Sequence, residues 1–391
     1  MAIRNLVRLS LPPAPVMTTP RPIPVAWRLP ALAAGGVALL TGLYAALLLL
    51  GTRVPAPPGQ LAEVHGPLMV LGFVGTLIAL ERAVALGDRW ALLAPACSGG
   101  GALLLVLTGP SLTARLLLMV ASVLLLGVYR QIWRRQPGVA LLAQAAGALA
   151  WYAATLLWLA GLTVAEIVPW LATFVVATIA GERFELARVA LPPRAGRWFL
   201  GALSALMAGV TATAVWPGIG PYLFGAGLLA VVAWLAAFDV ARRTVRSRGL
   251  PRYVALGLLA GYAWLGLAGL LWAGAGASAD GPRYDATLHA VFLGFTMSMI
   301  FVHAPVILPA VLRRPLPYQR LLYAPLALLH ASLLVRVVIG DALRVQPVWR
   351  GAGVANVLAV LAFVGLAVVS SLRPPRNRDA SPTRPVPMAV R

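Results

Sequence analysis

The chain has 391 residues, 60% of them hydrophobic and 11% charged, with a formal net charge of +21. A soluble fold of this length cannot hide so much apolar surface, so lipid is the expected solvent for most of it. All 32 basic residues are arginines set in short runs between apolar segments, a pattern of topology signals and anionic-lipid contact that leaves no basic face for nucleic acid.

The opening stretch, "MAIRNLVRLSLPPAPVMTTPRPIPV", is too short in apolar length and too rich in proline for a signal peptide. Residues 1–28 are therefore expected to be a disordered cytoplasmic tail. A spanning helix needs roughly 20 apolar residues. Twelve segments meet that rule, near 29–51, 62–86, 90–109, 112–130, 138–161, 167–190, 197–216, 220–241, 253–275, 284–311, 319–343 and 347–371. A second polar tail, 372–391, closes the chain, and no soluble domain fits between the spans. The expected fold is all-α, a polytopic transmembrane bundle over residues 29–371. The single cysteine, Cys97, lies within an apolar segment, so no disulfide or cysteine-ligated metal site is available.

Arginines set the orientation. Of the 32, 26 flank the termini and even-numbered loops, five flank the odd-numbered loops and one, Arg336, lies within a span. That asymmetry predicts both termini in the cytoplasm of a bacterial inner membrane.

The four histidines are the chemically informative residues. His65 in span 2 falls roughly 5 Å below the outer surface, and His289 in span 10 roughly 8 Å below it. Arg336, in span 11, comes within roughly 6 Å of the same edge. His303 follows His289 by fourteen residues and so lies on the same face but about 21 Å further down. His330 sits near the midplane of span 11. At α-helical spacing His65 shares its face with Met69, Gly72 and Thr76, and His289 shares its face with Leu293, Thr296 and Ile300, with Gly294 close by. Small residues beneath an imidazole leave room for a flat macrocycle.

This pattern points to a haem b held between spans 2 and 10 by His65 and His289 as axial ligands, with Arg336 pairing its propionates. Two plainer accounts stand beside it. Intramembrane histidines also serve as hydrogen-bonding links between helices. Arg336 can equally pair with Asp341 or extend toward the membrane surface.

Four fragments, "HGPLMVLGFVGTLIALERA", "GYAWLGLAGLL", "LHAVFLGFTMSMI" and "LLVRVVIGDAL", together with the number and order of spans, resemble the NnrS family. These are twelve-span bacterial membrane proteins linked to nitric oxide metabolism and described as binding haem and copper. The resemblance extends more distantly to the catalytic subunit of haem-copper oxidases and nitric oxide reductases. It implies haem binding, a nitrosative-stress role or electron transfer with a redox partner, and a copper site. Gly66 follows His65 where that family carries an acid. A complete haem-copper oxidase needs more imidazoles than the four present, so that activity is excluded and any enzymatic role stays open. Copper would have to draw on His303, His330, Met297 and Met299, although methionines on an apolar helix are usually packing residues.

The remaining charges cluster at the inner ends of spans. Glu185 and Arg188 are spaced to pair, Asp239 precedes Arg242, and Glu81, Glu182 and His303 share a level as either interfacial charges or a proton path. On span 5, Gln144, Trp151 and Tyr152 either line a cavity or join helices. Two other classes fit the same layout. One is a secondary transporter with a midplane site, for which His330 is the candidate. The other is a scaffold subunit of a redox complex.

Overall fold

The computed structural model describes residues 23–55 and 61–372. Among these described residues, twelve helices long and apolar enough to cross a membrane follow one another. They are α1 (Val25–Leu49), α2 (His65–Leu86), α3 (Arg89–Thr108), α4 (Leu112–Arg135), α5 (Val139–Leu159), α6 (Val164–Ala190), α7 (Ala195–Val215), α8 (Gly220–Phe238), α9 (Leu250–Ala275), α10 (Gly281–Leu312), α11 (Arg320–Ala342) and α12 (Gln346–Leu372). The protein is thus an all-α polytopic bundle embedded in a membrane, and no strand occurs among the described residues. Helices prevail because lipid offers the backbone no hydrogen-bond partners.

Most of the two expected tails, 1–22 and 373–391, lies outside the described residues. Where the N-terminal tail is described, the boundary at residue 29 needs correction. Val25–Arg28 already belong to α1, and Arg28 is buried. Its guanidinium donates to Ile23 O at 2.6 and 3.1 Å, to Ala310 O at 3.0 Å and to Val311 O at 2.7 Å. The last two carbonyls lie in the final turn of α10, where no amide follows to satisfy them. A cation that read as part of a polar tail is therefore a cap for span 10.

Local chemistry sets several helix starts. Proline occupies the first turn of α8, α9 and α10, where its missing N–H costs nothing. Thr163 and Glu166 form a reciprocal capping box at the start of α6. Consecutive helices pair closely. The α7–α8–α9 stack depends on small residues, since a Cβ on Gly209 would lie 2.7 Å from Leu223 O and one on Gly225 would lie 2.3 Å from Ala273 N. Three helices are the most enclosed: over their most apolar stretches α6 is 78% buried, α10 67% and α2 61%. Those three, with α1, α11 and α12, surround the cavities described next.

Candidate functional site

The polar residues of the site sit where α2, α10 and α11 leave α-helical winding. A π-helical segment, Leu68–Gly75, follows His65, and a second, Ala290–Met297, begins directly after His289. A third, Arg336–Ala342, opens on Arg336. The winding is visible at Thr296, whose hydroxyl donates to Val291 O five residues earlier at 3.0 Å. π segments are rare and tend to occur at functional sites.

This winding changes which residues face the site. A cavity of about 420 Å3 opens between α1, α2, α6, α10, α11 and α12, and His65, His289 and Arg336 all line it. On α2 the lining continues through Gly66, Met69, Val70 and Val74, in place of the α-helical expectation of Gly72 and Thr76. Gly72 faces α1 and α3, where an added Cβ would come within 2.8 Å of Ala102 Cβ and 3.1 Å of Ala38 Cβ. Gly294 faces α9, with Trp264 Cγ at 2.4 Å from such a Cβ. These two glycines admit neighbouring helices and make no bed for a macrocycle. Thr76 turns away and donates to Ser98 Oγ at 2.9 Å. On α10 Leu293 and Thr296 line this cavity as expected, whereas Ile300 lines a second one.

The hydrogen bonds divide the four histidines into two kinds. His65 Nδ1 lies 2.8 Å from Gly42 O, and His289 Nδ1 lies 2.8 Å from Asp285 O. A carbonyl only accepts, so each Nδ1 carries the ring proton and each Nε2 presents a lone pair. No described residue bonds to either Nε2. This is the arrangement by which proteins orient imidazole ligands toward a metal.

His303 and His330 are engaged at both nitrogens. His303 Nδ1 donates to Met299 O at 2.8 Å, while Nε2 accepts from Arg183 Nη1 at 3.2 Å. His330 Nδ1 accepts from Trp264 Nε1 at 3.0 Å, so its protonated Nε2 donates to Ser298 Oγ at 3.2 Å. Met297 lines both cavities, and Met299 packs where a Cβ on Gly261 would meet its Cε at 2.5 Å. The proposed copper ligands therefore have no free nitrogen to offer. Among the described residues no three His, Cys, Asp or Glu side chains converge on one point. A haem brings its own nitrogens and asks only for axial ligands.

Arg336 pairs with neither Asp341 nor the membrane surface. It is buried, and it grips Asp285 through both carboxylate oxygens, Nε to Oδ2 at 2.8 Å and Nη2 to Oδ1 at 2.7 Å. Trp349 Nε1 donates to the same Oδ2 at 3.1 Å, and the guanidinium lies 5.3 Å from the centre of the Trp349 ring. Asp285 Oδ1 is also 3.3 Å from His289 Nδ1. Asp285 escaped the sequence reading although it stands four residues before His289, one helical turn away on the same face. The Gly42 carbonyl carries no such signal, being backbone on another helix. Asp341 Oδ2 is buried without a partner among the described residues.

A second cavity of about 370 Å3 lies deeper, toward the arginine-rich face, and shares Val74, Thr296 and Met297 with the first. Glu81, Glu182, His303 and Arg314 line it. Arg82 ties the two glutamates together, at 2.8 Å from Glu81 and 3.1 Å from Glu182. Asp239 pairs with Arg183 rather than Arg242, at 2.7 and 3.0 Å, and accepts from Tyr262 Oη at 2.8 Å. Arg242 instead donates to the carbonyls of Ala236 and Ala237 at the end of α8. The Glu185–Arg188 pair forms as its spacing implies, at 2.9 Å. On α5, Gln144 meets Arg82 at 3.4 Å and Trp151 packs on Phe174.

One family model, a domain of unknown function (DUF8744), matches residues 28–372, and the chain belongs to that family. No curated protein and no solved structure matches it.

Proposed function

We propose that this member of the DUF8744 family binds haem b in its upper cavity, with His65 and His289 as axial ligands. One observation carries the reading: two imidazoles with Nδ1 tied to carbonyls face a single cavity with their Nε2 lone pairs free. The cavity volume falls within the roughly 300–1,000 Å3 of cofactor sites, and its walls are mostly apolar with a few convergent polar groups. Arg336 lines the cavity, and its Nη1 has no partner among the described residues, which suits it to a propionate. Bound haem would supply one-electron chemistry and a metal that takes small gases. The protein would orient the two imidazoles, exclude water with α6 and α12, and neutralise the propionates.

The arginine distribution supports a periplasmic position for this cavity in a bacterial inner membrane, with both termini cytoplasmic. The likeness to the NnrS family supports a role in nitric oxide or nitrosative-stress metabolism, or in electron transfer to a redox partner. The test is an absorption spectrum of the purified full-length protein, oxidised and dithionite-reduced, from cells supplied with haem precursor. A Soret band with sharp reduced α and β bands at about one haem per chain is expected. A protein that stays colourless after haem is added overturns the reading.

A secondary transporter is the second reading. The observation favouring it is the second cavity, which continues the first toward the arginine-rich face and carries Glu81 and Glu182 on its wall. Solute uptake that survives His65→Ala in a colourless protein would favour it.

A further inference from the structure

Resting on the haem reading, we infer that the two histidines are unequal: His289 is the permanent axial ligand, positioned by Asp285, and His65 is the exchangeable one. The site then opens on the His65 side for a small uncharged ligand.

The asymmetry begins with what holds each ring. His289 Nδ1 faces both the Asp285 carbonyl at 2.8 Å and the Asp285 carboxylate at 3.3 Å. That carboxylate is itself fixed by two bonds from Arg336 and one from Trp349. Three helices, α10, α11 and α12, thereby lock one imidazole. A carboxylate partner also makes an imidazole a stronger electron donor to a metal. His65 has a single neutral acceptor, Gly42 O, supplied by α1.

The backbone tells the same story. His289 lies inside the continuous helix α10, as its ninth residue counted from Gly281. His65 is the first residue of α2 and follows a turn whose bonds are long, Val64 N to Leu61 O and His65 N to Ala62 O both at 3.3 Å. An end residue with one neutral hydrogen bond moves at lower cost than a mid-helix residue in an ion-pair network. The walls nearest His65 decide the ligand class. Gly66, Met69 and Val70 of α2 and Val168 and Leu171 of α6 are apolar or lack a side chain, and the acidic Glu63 also lines the cavity two residues from His65, a lining that favours a small neutral molecule over an anion.

The experiment uses the full-length protein with carbon monoxide as the probe. Haem content and spectra are compared for wild type, His65→Ala and His289→Ala. His65→Ala should keep most of its haem, turn high-spin when reduced, and bind carbon monoxide at least tenfold faster than wild type. His289→Ala should lose haem at least tenfold. A second measurement needs no variant. Reduced wild-type protein is treated with diethylpyrocarbonate with and without carbon monoxide, and modified histidines are read by mass spectrometry. Carbon monoxide should expose His65 and leave His289 protected.

Equal haem loss in both variants, no carbon monoxide binding by the reduced wild type, or gas-dependent modification of His289 in place of His65 would each overturn the inequality while leaving the haem reading intact. A wild-type protein without haem removes the haem reading and this inference together.

Discussion

The two ends of the bundle are built from the same parts and put them to different use. Near the arginine-poor face, Arg336 binds Asp285 through both oxygens, Trp349 donates to that carboxylate, and His289 bonds to a carbonyl four residues back. Near the arginine-rich face, Arg183 binds Asp239 through both oxygens, Tyr262 donates to that carboxylate, and His303 bonds to a carbonyl four residues back. The difference that decides their use is one bond. Arg183 extends Nη1 to His303 Nε2 at 3.2 Å, while Nε2 of His289 has no partner among the described residues. The lower set is closed on itself and braces α6, α8, α9 and α10. The upper set leaves a lone pair facing a cavity, which is what a ligand site requires.

The comparison can be broken from either side. Asp239→Ala should be the most damaging change, because it leaves the Arg183 guanidinium buried without its counter-charge. A loss of about 3–5 kcal/mol is expected, read as a large drop in the thermal unfolding midpoint in detergent. Asp285→Ala removes a pair that borders the cavity, and Arg336 keeps its contact with the Trp349 ring. About 2 kcal/mol is expected there, and on the proposed haem reading a shift in midpoint potential follows that Asp239→Ala should not show in any protein that remains folded.

His303→Ala sharpens the contrast. It should cost about 1–2 kcal/mol through two lost hydrogen bonds and, on the proposed haem reading, leave the absorption spectrum unchanged. A spectral change would show that the lower histidine is no mere brace. The smallest effect belongs to the exposed Glu185–Arg188 pair, where Arg188→Ala should move stability by less than about 0.5 kcal/mol. A larger fall would mean that this pair supports the buried Arg183 on the same helix.

Legibility in the sequence follows how local each feature is. The upper cluster was half readable: Asp285 and His289 lie one turn apart on one helix, and Arg336 stands out as the lone arginine within a span. The lower cluster was not, because Arg183, Asp239, Tyr262 and His303 come from four different segments and nothing in their spacing joins them. Asp239 beside Arg242 looked like a local pair, yet the helix ends at Phe238 and turns its carboxylate inward to Arg183. Gly72 and Gly294 misled for a different reason. An α-helical ruler places Gly72 beneath His65, but eight residues of π winding rotate the following face, and both glycines end against neighbouring helices.

The sequence by itself determined the number of spans, their order and the approximate place of each polar residue along its span, because apolar length and a fixed rise per residue suffice for that. It did not determine which polar groups meet. That was decided by tertiary structure, where π winding chooses the exposed face, small residues choose the neighbours, and the reach of one guanidinium nitrogen separates a sealed histidine from an open one.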